Sequence, residues 1–277
     1  MRLSISNIAW DRSYDQLISQ ILNKNNIDAI DIAPGKYFNN FSNTTNDDIV
    51  DVRKWWESRG IEIIGMQSLL YGTSGLNLFA NNNVQKEMLE YLDLVCKISS
   101  GLNARKLVFG SPRNRDRHGL SDKKTFQIAI NFFKELAQIA QKHNVVVCLE
   151  PNPECYGSNF MTTSHETAAI VIKVNHPCIK MQLDTGAIAI NDERPTVICS
   201  KYKSLIGHIH LSEPNLVPLG SCPAIHGEVA IALKKFLPEY PCTIEMLTNS
   251  SDNPKSIIDS SIKFITQTYT KLKKIEL

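Results

Sequence analysis

Short apolar runs alternate with amphipathic helical patterns along the whole of this 277-residue chain, and the alternation repeats eight times. No low-complexity linker interrupts it. Strands joined by helical crossovers run parallel in one sheet. Eight strand–helix pairs in a chain of this length therefore predict a single (β/α)8 barrel domain over residues 1–277. The predicted strands are residues 3–9, 27–33, 61–69, 104–110, 145–150, 179–184, 205–211 and 242–247, and the predicted helices are residues 14–25, 46–60, 84–101, 121–143, 164–175, 192–202, 226–238 and 253–274.

A doubly wound open sheet is the alternative that the same alternation allows. Such sheets usually carry a glycine-rich turn that binds phosphate after the first strand. Here that turn reads NIAWDRS, at residues 7–13, and it contains no glycine. The closed barrel is therefore the better interpretation, and a Rossmann-type nucleotide site is not expected.

Four consecutive strands in the second half of the chain end in an acidic residue or a histidine. These residues are Glu150, Asp184, His210 and Glu245, which lie 34, 26 and 35 positions apart. A closed barrel brings the carboxyl ends of its strands to one rim, where this fold places its chemistry. Three carboxylates and an imidazole there would be unfavourable unless a cation joined them. The pattern predicts a divalent-metal site, and a purely structural acid cluster is the alternative.

The composition of this predicted ligand set indicates which metal it would bind. Three oxygen ligands and one nitrogen favour Mn²⁺, with Mg²⁺ and Co²⁺ as alternatives, over a structural Zn²⁺. A second histidine, His208, lies two residues before His210, so both side chains point into the barrel. We expect His208 to be a hydrogen-bonded core residue one layer deeper.

Further polar side chains at the predicted strand ends are weaker candidates for contacts with a substrate. Arginine forks match phosphate and carboxylate groups, and a tryptophan can stack on a sugar face. Each residue also has a structural alternative, such as a helix cap, a plug in the barrel mouth or a solvated basic loop. The candidates are Trp10, Lys36 and Gln67 after the first three strands, Arg113 and Arg115 after the fourth, Tyr156 after the fifth, and Glu213 and His226 after the seventh.

The overall composition excludes several classes of partner. The 30 basic and 28 acidic residues nearly balance, so no basic surface for nucleic acid or an anionic membrane is indicated. Seven cysteines without a CxxC motif fit reduced thiols in a cytoplasmic protein. No segment has the roughly 20 apolar residues of a membrane span, and the N-terminus lacks the apolar core of a signal peptide. We expect a cytoplasmic protein that binds a small molecule.

The motifs around the four strand-end residues resemble those of the xylose-isomerase-like TIM-barrel superfamily. The matching segments are LEPNP with Glu150, MQLDTG with Asp184, GHIHLSEP with His210 and TIEM with Glu245. This superfamily includes sugar-phosphate isomerases/epimerases, ketose 3-epimerases, inosose dehydratase and endonuclease IV, and the resemblance covers essentially the whole chain. The segments SNIAW, DIAPGKYF, VFGSPRNR, EPNPECYG and HLSEPNL resemble one subgroup, the sugar phosphate isomerase/epimerase proteins often associated with surface-polysaccharide synthesis.

The resemblance implies roles for individual residues. In the ketose 3-epimerases the four matching positions bind a divalent metal, commonly Mn²⁺, and the two glutamates are also the acid–base pair. Carried over by position, Glu150 and Glu245 become ligands and catalytic residues, while Asp184 and His210 become ligands. Relatives often form dimers or tetramers, so the resemblance also implies a homo-oligomer.

Two positions depart from the pattern of the 3-epimerases. Those enzymes usually have a substrate-contacting histidine three residues after the metal aspartate and an arginine six residues after the metal histidine. This chain has Ala187 and Leu216 there. The resemblance therefore supports the metal centre of the 3-epimerases in this chain, but it does not support their free-ketose substrate. The three-zinc pattern of endonuclease IV needs further rim histidines, so activity on DNA is not expected.

The chain is thus predicted to be a divalent-metal-dependent isomerase or epimerase of a sugar or sugar phosphate. A cation would stabilise the enediolate that forms when a C–H proton next to a carbonyl leaves. One glutamate would remove the proton and the other would return it. The alternatives are a sugar dehydratase that uses the same metal site and a sugar-binding barrel without catalysis.

Overall fold

The computed structural model describes residues 1–248 and 253–270. Within them, eight parallel strands pair in chain order, and the eighth pairs with the first, so the sheet closes into a barrel. The predicted (β/α)8 architecture is confirmed. The strands are β1 Leu3–Ser6, β2 Ala29–Ile32, β3 Glu62–Met66, β4 Lys106–Phe109, β5 Val146–Leu149, β6 Ile179–Asp184, β7 Ile206–Leu211 and β8 Cys242–Ile244.

A layer of helices surrounds the barrel. Their apolar faces pack against the outer faces of the strands, as the edge-to-face contact between Phe109 of β4 and Phe133 shows. The helices are α1 Asp15–Lys24, α2 Asn46–Glu57, α3 Asn82–Gly101, α4 Asp122–Lys142, α5 Ser164–Val174, α6 Thr185–Ile190, α7 Pro195–Tyr202, α8 His226–Phe236 and α9 Pro254–Thr270. The predicted last helix continued to residue 274, and its final four residues lie outside the described ones.

The segment after β6 differs from the prediction. One helix was expected at residues 192–202, and α7 occupies that place, but the short helix α6 precedes it. α6 begins directly at the end of β6 because the Asp184 carboxylate accepts a hydrogen bond from the Ala187 N–H at 2.7 Å, which caps the first turn. A six-residue helix with a single polar cap has too weak a sequence pattern to predict.

The interior of the barrel is unusually polar for this fold, whose inner layers are mostly Val, Ile and Leu. Its fully or nearly fully buried side chains include Ser4, Asp31, Gln182, His208 and Thr243. His208 is hydrogen-bonded within this layer, as predicted, with its Nε2 atom 2.6 Å from Asp31 Oδ2. The site at the rim therefore has hydrogen-bonding groups beneath it.

The structure describes the state of the cysteines and the character of the helices. All seven cysteines are free, and burial raises the pKa of the Cys148 thiol to about 12, so this side chain is a protonated core group. In residues 1–248 and 253–270 no helix combines the length and the apolar character that crossing a membrane requires.

Candidate metal centre at the carboxyl ends of the strands

The four residues predicted as metal ligands come together at one rim of the barrel. One ligand atom from each of Glu150, Asp184, His210 and Glu245 lies within 4.8 Å of the others. We call these four residues the rim cluster. His210 is fully buried, and Asp184 and Glu245 are 8% and 7% exposed, so the cluster is largely shielded from water.

The barrel strands fix the backbone of every member of the rim cluster. Asp184 is the last residue of β6 and pairs in register with His210 of β7. Glu150 and Glu245 follow β5 and β8, and each still donates its backbone N–H to the neighbouring strand, to Phe109 O at 3.1 Å and Leu211 O at 2.9 Å. Side chains on such rigid elements are held more precisely than side chains on loops.

The His210 ring presents a nitrogen to the acids. Its Nδ1 atom lies 3.2 Å from Glu245 Oε2 and 3.8 Å from Glu150 Oε1. Nevertheless, buried Nδ1 makes no hydrogen bond of acceptable geometry to any described residue. A buried nitrogen that is surrounded by carboxylates but is not hydrogen-bonded to them has the arrangement of a ligand set around a cation.

The electrostatics of the rim cluster support the same interpretation. Burial and the charges of Glu245 and Asp184 raise the pKa of Glu150 to about 8. Burial and Glu245 raise the pKa of Asp184 to about 6. Burial also opposes ionisation of Glu245, but neighbouring His210 outweighs it and lowers the pKa of that carboxyl. A divalent cation would remove this repulsion between like charges, so the residues present fit a metal of the Mn²⁺ or Mg²⁺ type.

Hydrogen bonds orient the carboxylates of the rim cluster. Besides capping α6, Asp184 accepts from Ser212 Oγ at 2.6 Å. The Gln67 side-chain amide donates to Glu245 Oε1 at 2.6 Å, and the Asn152 amide donates to Glu150 Oε2 at 3.1 Å. Hydrogen bonds therefore hold one oxygen of each glutamate and both oxygens of Asp184, and the ligand atoms have restricted positions.

Two cavities open onto the rim cluster. The larger has a volume of about 540 Å³ and is lined by Lys36, Gln67, Glu150 and Glu245 together with several aliphatic side chains. The smaller has a volume of about 330 Å³ and is bordered by Glu150, Tyr156, Asp184, Glu213 and Glu245. Because both glutamates face both cavities, a small molecule in either one would lie beside them.

The two departures from the 3-epimerase pattern lie at this site. Ala187 borders the smaller cavity, and Leu216 borders both cavities. Leu216 has a φ of 53°, a conformation uncommon for a residue other than glycine, and its carbonyl accepts the Leu247 N–H at 2.8 Å. The positions of a substrate-contacting histidine and arginine are therefore taken by methyl groups, which makes the cavity walls more apolar.

The structure does not place Trp10 where the sequence suggested. Its ring is 2% exposed, and its indole N–H donates to Asp15 Oδ1 at 2.7 Å. Trp10 is not among the described residues that line the two rim cavities. Its carbonyl accepts from the Lys36 ammonium, which also donates to Asn7 O at 2.7 Å. Trp10 therefore supports Lys36 from behind and does not stack on a ligand.

The expected anion site at Arg113 and Arg115 also needs correction. Arg115 is fully buried, and its guanidinium donates to the carbonyl oxygens of Glu150 at 2.7 Å and Gly110 at 3.4 Å. Arg113 is exposed and borders neither rim cavity. A guanidinium that is already bound to two backbone carbonyls joins the ends of β4 and β5, so Arg115 is not available to hold a phosphate.

This placement predicts different effects for the two arginines. Arg115→Met should lower the free energy of unfolding by about 1–3 kcal/mol, because it leaves buried carbonyl oxygens without a donor. Arg113→Ala is the matched control from the same loop, and its effect should stay within about 0.5 kcal/mol. Urea unfolding followed by circular dichroism measures both. An Arg115→Met protein as stable as Arg113→Ala would contradict the bridging role.

Glu213 and His226 form a second buried pair, and Glu213 also borders the smaller cavity. The Glu213 carboxylate accepts the N–H groups of Gly220 at 2.6 Å and Cys222 at 2.5 Å, and it lies 3.0 Å from His226 Nε2. His226 Nδ1 lies 2.8 Å from the Tyr269 hydroxyl. Both side chains hold the loop between β7 and α8. Among the described residues His226 borders neither rim cavity, so its predicted contact with a substrate is corrected, whereas Glu213 does border the smaller one.

Two other candidates do face the cavities. Gln67 borders the larger cavity and binds Glu245, and Tyr156 borders the smaller one, where its hydroxyl accepts the Asn215 N–H at 2.6 Å. Asp31 was missed by the sequence argument, although it is an acid inside an otherwise apolar strand. Its Oδ2 atom lies 3.3 Å from His210 Nε2.

Comparisons with known proteins agree with this fold. The model of a protein family described as xylose isomerase-like TIM barrel matches residues 20–268. A protein from Danio rerio named "Putative hydroxypyruvate isomerase" is 25% identical over 177 residues. That match covers 61% of this chain and 63% of the relative, so it spans less than two thirds of the relative's length.

Solved structures with the same architecture include sugar epimerases and a probable dehydratase. D-psicose 3-epimerase of Clostridium cellulolyticum H10, solved with D-tagatose, superposes with a TM-score of 0.81 and 17% identity, covering 97% of this chain and 99% of that one. The 3-keto-D-glucoside 4-epimerase YcjR of E. coli gives a TM-score of 0.79 and 13% identity, covering 96% and 99%. At these identities the likeness establishes the fold.

Proposed function

This chain belongs to the xylose isomerase-like TIM barrel family, and on that premise we propose that it is a divalent-metal-dependent isomerase or epimerase of a sugar or sugar phosphate. The observation that carries the proposal is the rim cluster. Three carboxylates and an imidazole converge within 4.8 Å at the end of the barrel where this fold places its chemistry. Two of the carboxylates also face both cavities that a small substrate would enter.

All four members of the rim cluster would hold the cation. A cation bound there would act as a Lewis acid that stabilises negative charge on the oxygens of a sugar carbonyl and its neighbouring hydroxyl. Mn²⁺ fits the three oxygens and one nitrogen, with Mg²⁺ and Co²⁺ as alternatives.

Glu150 and Glu245 are the proposed acid–base pair. The two carboxylates come from strands on different sides of the barrel mouth, and both border the same cavities, so a sugar between them presents a C–H to one or to the other. One glutamate takes the proton from the carbon next to the carbonyl. The other returns a proton to the opposite face for epimerisation or to the neighbouring carbon for isomerisation.

Other residues orient the substrate and the two glutamates. Gln67 fixes one oxygen of Glu245, and Asn152 fixes one oxygen of Glu150. The remaining oxygens lie towards His210 Nδ1 and would be free to bind the cation or to take up a proton. Lys36 is the one lysine or arginine among the described residues that line the two cavities. Its ammonium is held by two backbone carbonyls, and it would donate its remaining N–H to a sugar oxygen.

Product analysis tests the proposed reaction class. Metal-stripped protein reloaded with Mn²⁺ would be incubated with free ketoses and aldoses, their phosphates and keto-glycosides, and the products would be identified by NMR and mass spectrometry. An isomer of unchanged mass supports the proposal. A product lighter by one water identifies a dehydratase, and unchanged sugars throughout favour a binding protein.

A further inference from the structure

Asp31 is a fully buried carboxylate beneath the rim cluster. It lies on β2, and its Oδ2 atom is 2.6 Å from His208 Nε2 and 3.3 Å from His210 Nε2. Its other oxygen has no hydrogen-bond partner among the described residues. A buried charge with so few partners is costly, which indicates that it is retained for its effect on its neighbours.

The neighbouring strand makes room for this carboxylate. Gly65 of β3 pairs in register with Asp31, and a Cβ atom at Gly65 would overlap the carboxylate. Every other residue type would therefore displace Asp31 or distort the barrel. The pair of a glycine and an aspartate on adjacent strands sets where this negative charge lies.

The three side chains form a hydrogen-bonded unit and not a second metal site, although Asp31, His208 and His210 cluster closely enough to suggest one. A cation about 2.0–2.2 Å from each ligand atom holds those atoms roughly 3 Å apart. The 2.6 Å between His208 Nε2 and Asp31 Oδ2 is a hydrogen-bond distance. The donors therefore point at Asp31 itself.

We propose that Asp31 is a positioning residue for the cation of the proposed function: it accepts the Nε2–H of His210 and so presents Nδ1 to Glu150, Asp184 and Glu245. An imidazole binds a metal through one nitrogen while the other keeps its proton, and the hydrogen bond to that proton sets the tautomer and the ring orientation. His208, one layer deeper, donates to the same oxygen and keeps the carboxylate in place.

The test measures Mn²⁺ binding to metal-stripped protein by isothermal titration calorimetry. Asp31→Ala removes the acceptor and should weaken Mn²⁺ affinity about 10–100-fold, the usual range for such outer hydrogen-bond partners. Asp31→Asn keeps an oxygen acceptor without the charge, so the loss of Mn²⁺ affinity should be smaller. Gly65→Ala leaves Asp31 present but displaced, and it should also weaken binding.

A control separates positioning from general damage to the core. Ser99→Ala removes a fully buried hydrogen bond to Ala104 O far from the rim, so it destabilises the fold without touching the site. Its Mn²⁺ affinity should equal that of the wild type. Nitrogen-15 NMR of the Zn²⁺-loaded protein supplies a second readout, because the Nε2 proton of His210 should be detected in the wild type and lost or exchange-broadened in Asp31→Ala.

The outcomes distinguish this proposal from the proposed function. Wild-type affinity in Asp31→Ala would overturn the positioning role and leave the metal-dependent reaction standing. Equal weakening in Asp31→Ala and Ser99→Ala would overturn it as well. A wild-type chain that binds none of Mn²⁺, Mg²⁺ and Co²⁺ would overturn both. The proposal is supported if Mn²⁺ affinity falls in the order wild type, Asp31→Asn and Asp31→Ala while Ser99→Ala keeps the wild-type affinity.

Discussion

Glu150→Gln and Glu245→Gln should each reduce turnover about 10²–10⁴-fold while leaving the barrel folded, because glutamine keeps the size of the side chain but cannot take up a proton. Loss of one carboxylate ligand adds to this effect if metal occupancy falls. The measurement is therefore kcat on the true substrate, with bound metal determined on the same sample. Circular dichroism checks the fold.

The matched control for these variants is Glu166→Gln. Glu166 lies at the start of α5 on the same side of the barrel, and its carboxylate accepts the Thr162 N–H at 2.8 Å, a hydrogen bond that glutamine retains. It belongs to neither rim cavity and should keep wild-type turnover. A metal-loaded Glu150→Gln or Glu245→Gln protein with wild-type kcat would show that this glutamate is only a ligand, and the two-glutamate mechanism would be wrong.

Asp184→Ala and His210→Ala should lose the divalent cation, which we expect at about one per chain in the wild type. Each substitution removes a ligand from the middle of the cluster, and His210 is its only nitrogen donor. Asp184→Ala also removes the cap of α6, which costs about 0.5–2 kcal/mol of stability. However, it relieves the repulsion between buried carboxylates, so the barrel should still fold.

Metal analysis by inductively coupled plasma mass spectrometry, together with Mn²⁺ titration, measures this loss. His118→Ala and Asp28→Asn are the matched controls, because both side chains are exposed and lie outside the cluster. They should keep the wild-type metal content. An Asp184→Ala protein that binds Mn²⁺ as tightly as the wild type would contradict the metal centre.

Sequence reasoning found the parts of this molecule that follow from regular spacing. Apolar runs alternating with amphipathic helices predicted all eight strands of the barrel, and polar residues at the ends of four of them predicted the rim cluster. Both inferences rest on the geometry of a parallel barrel, which brings equivalent strand ends together whatever the loops do.

The residues that sequence reasoning misplaced are those whose direction depends on the path of a loop. Arg115 follows a strand just as Gln67 does, yet its guanidinium turns back to backbone carbonyls at the ends of β4 and β5. Position along the chain cannot distinguish a side chain that faces a cavity from one that faces the protein. Asp31 was missed for a different reason, since its partners His208 and His210 lie 177 and 179 residues away.

The central claim is that the rim cluster moves a proton to and from a carbon next to a sugar carbonyl, and exchange with solvent tests it most directly. Mn²⁺-loaded protein would be incubated in D₂O with free, phosphorylated and glycosylated keto-sugars, and deuterium at carbon would be followed by NMR. We predict incorporation at a carbon next to the carbonyl of at least one sugar, and its loss in Glu150→Gln and Glu245→Gln. If no sugar exchanges a C–H proton with Mn²⁺, Mg²⁺ or Co²⁺ bound, the account is contradicted and the alternative of a sugar-binding barrel gains support.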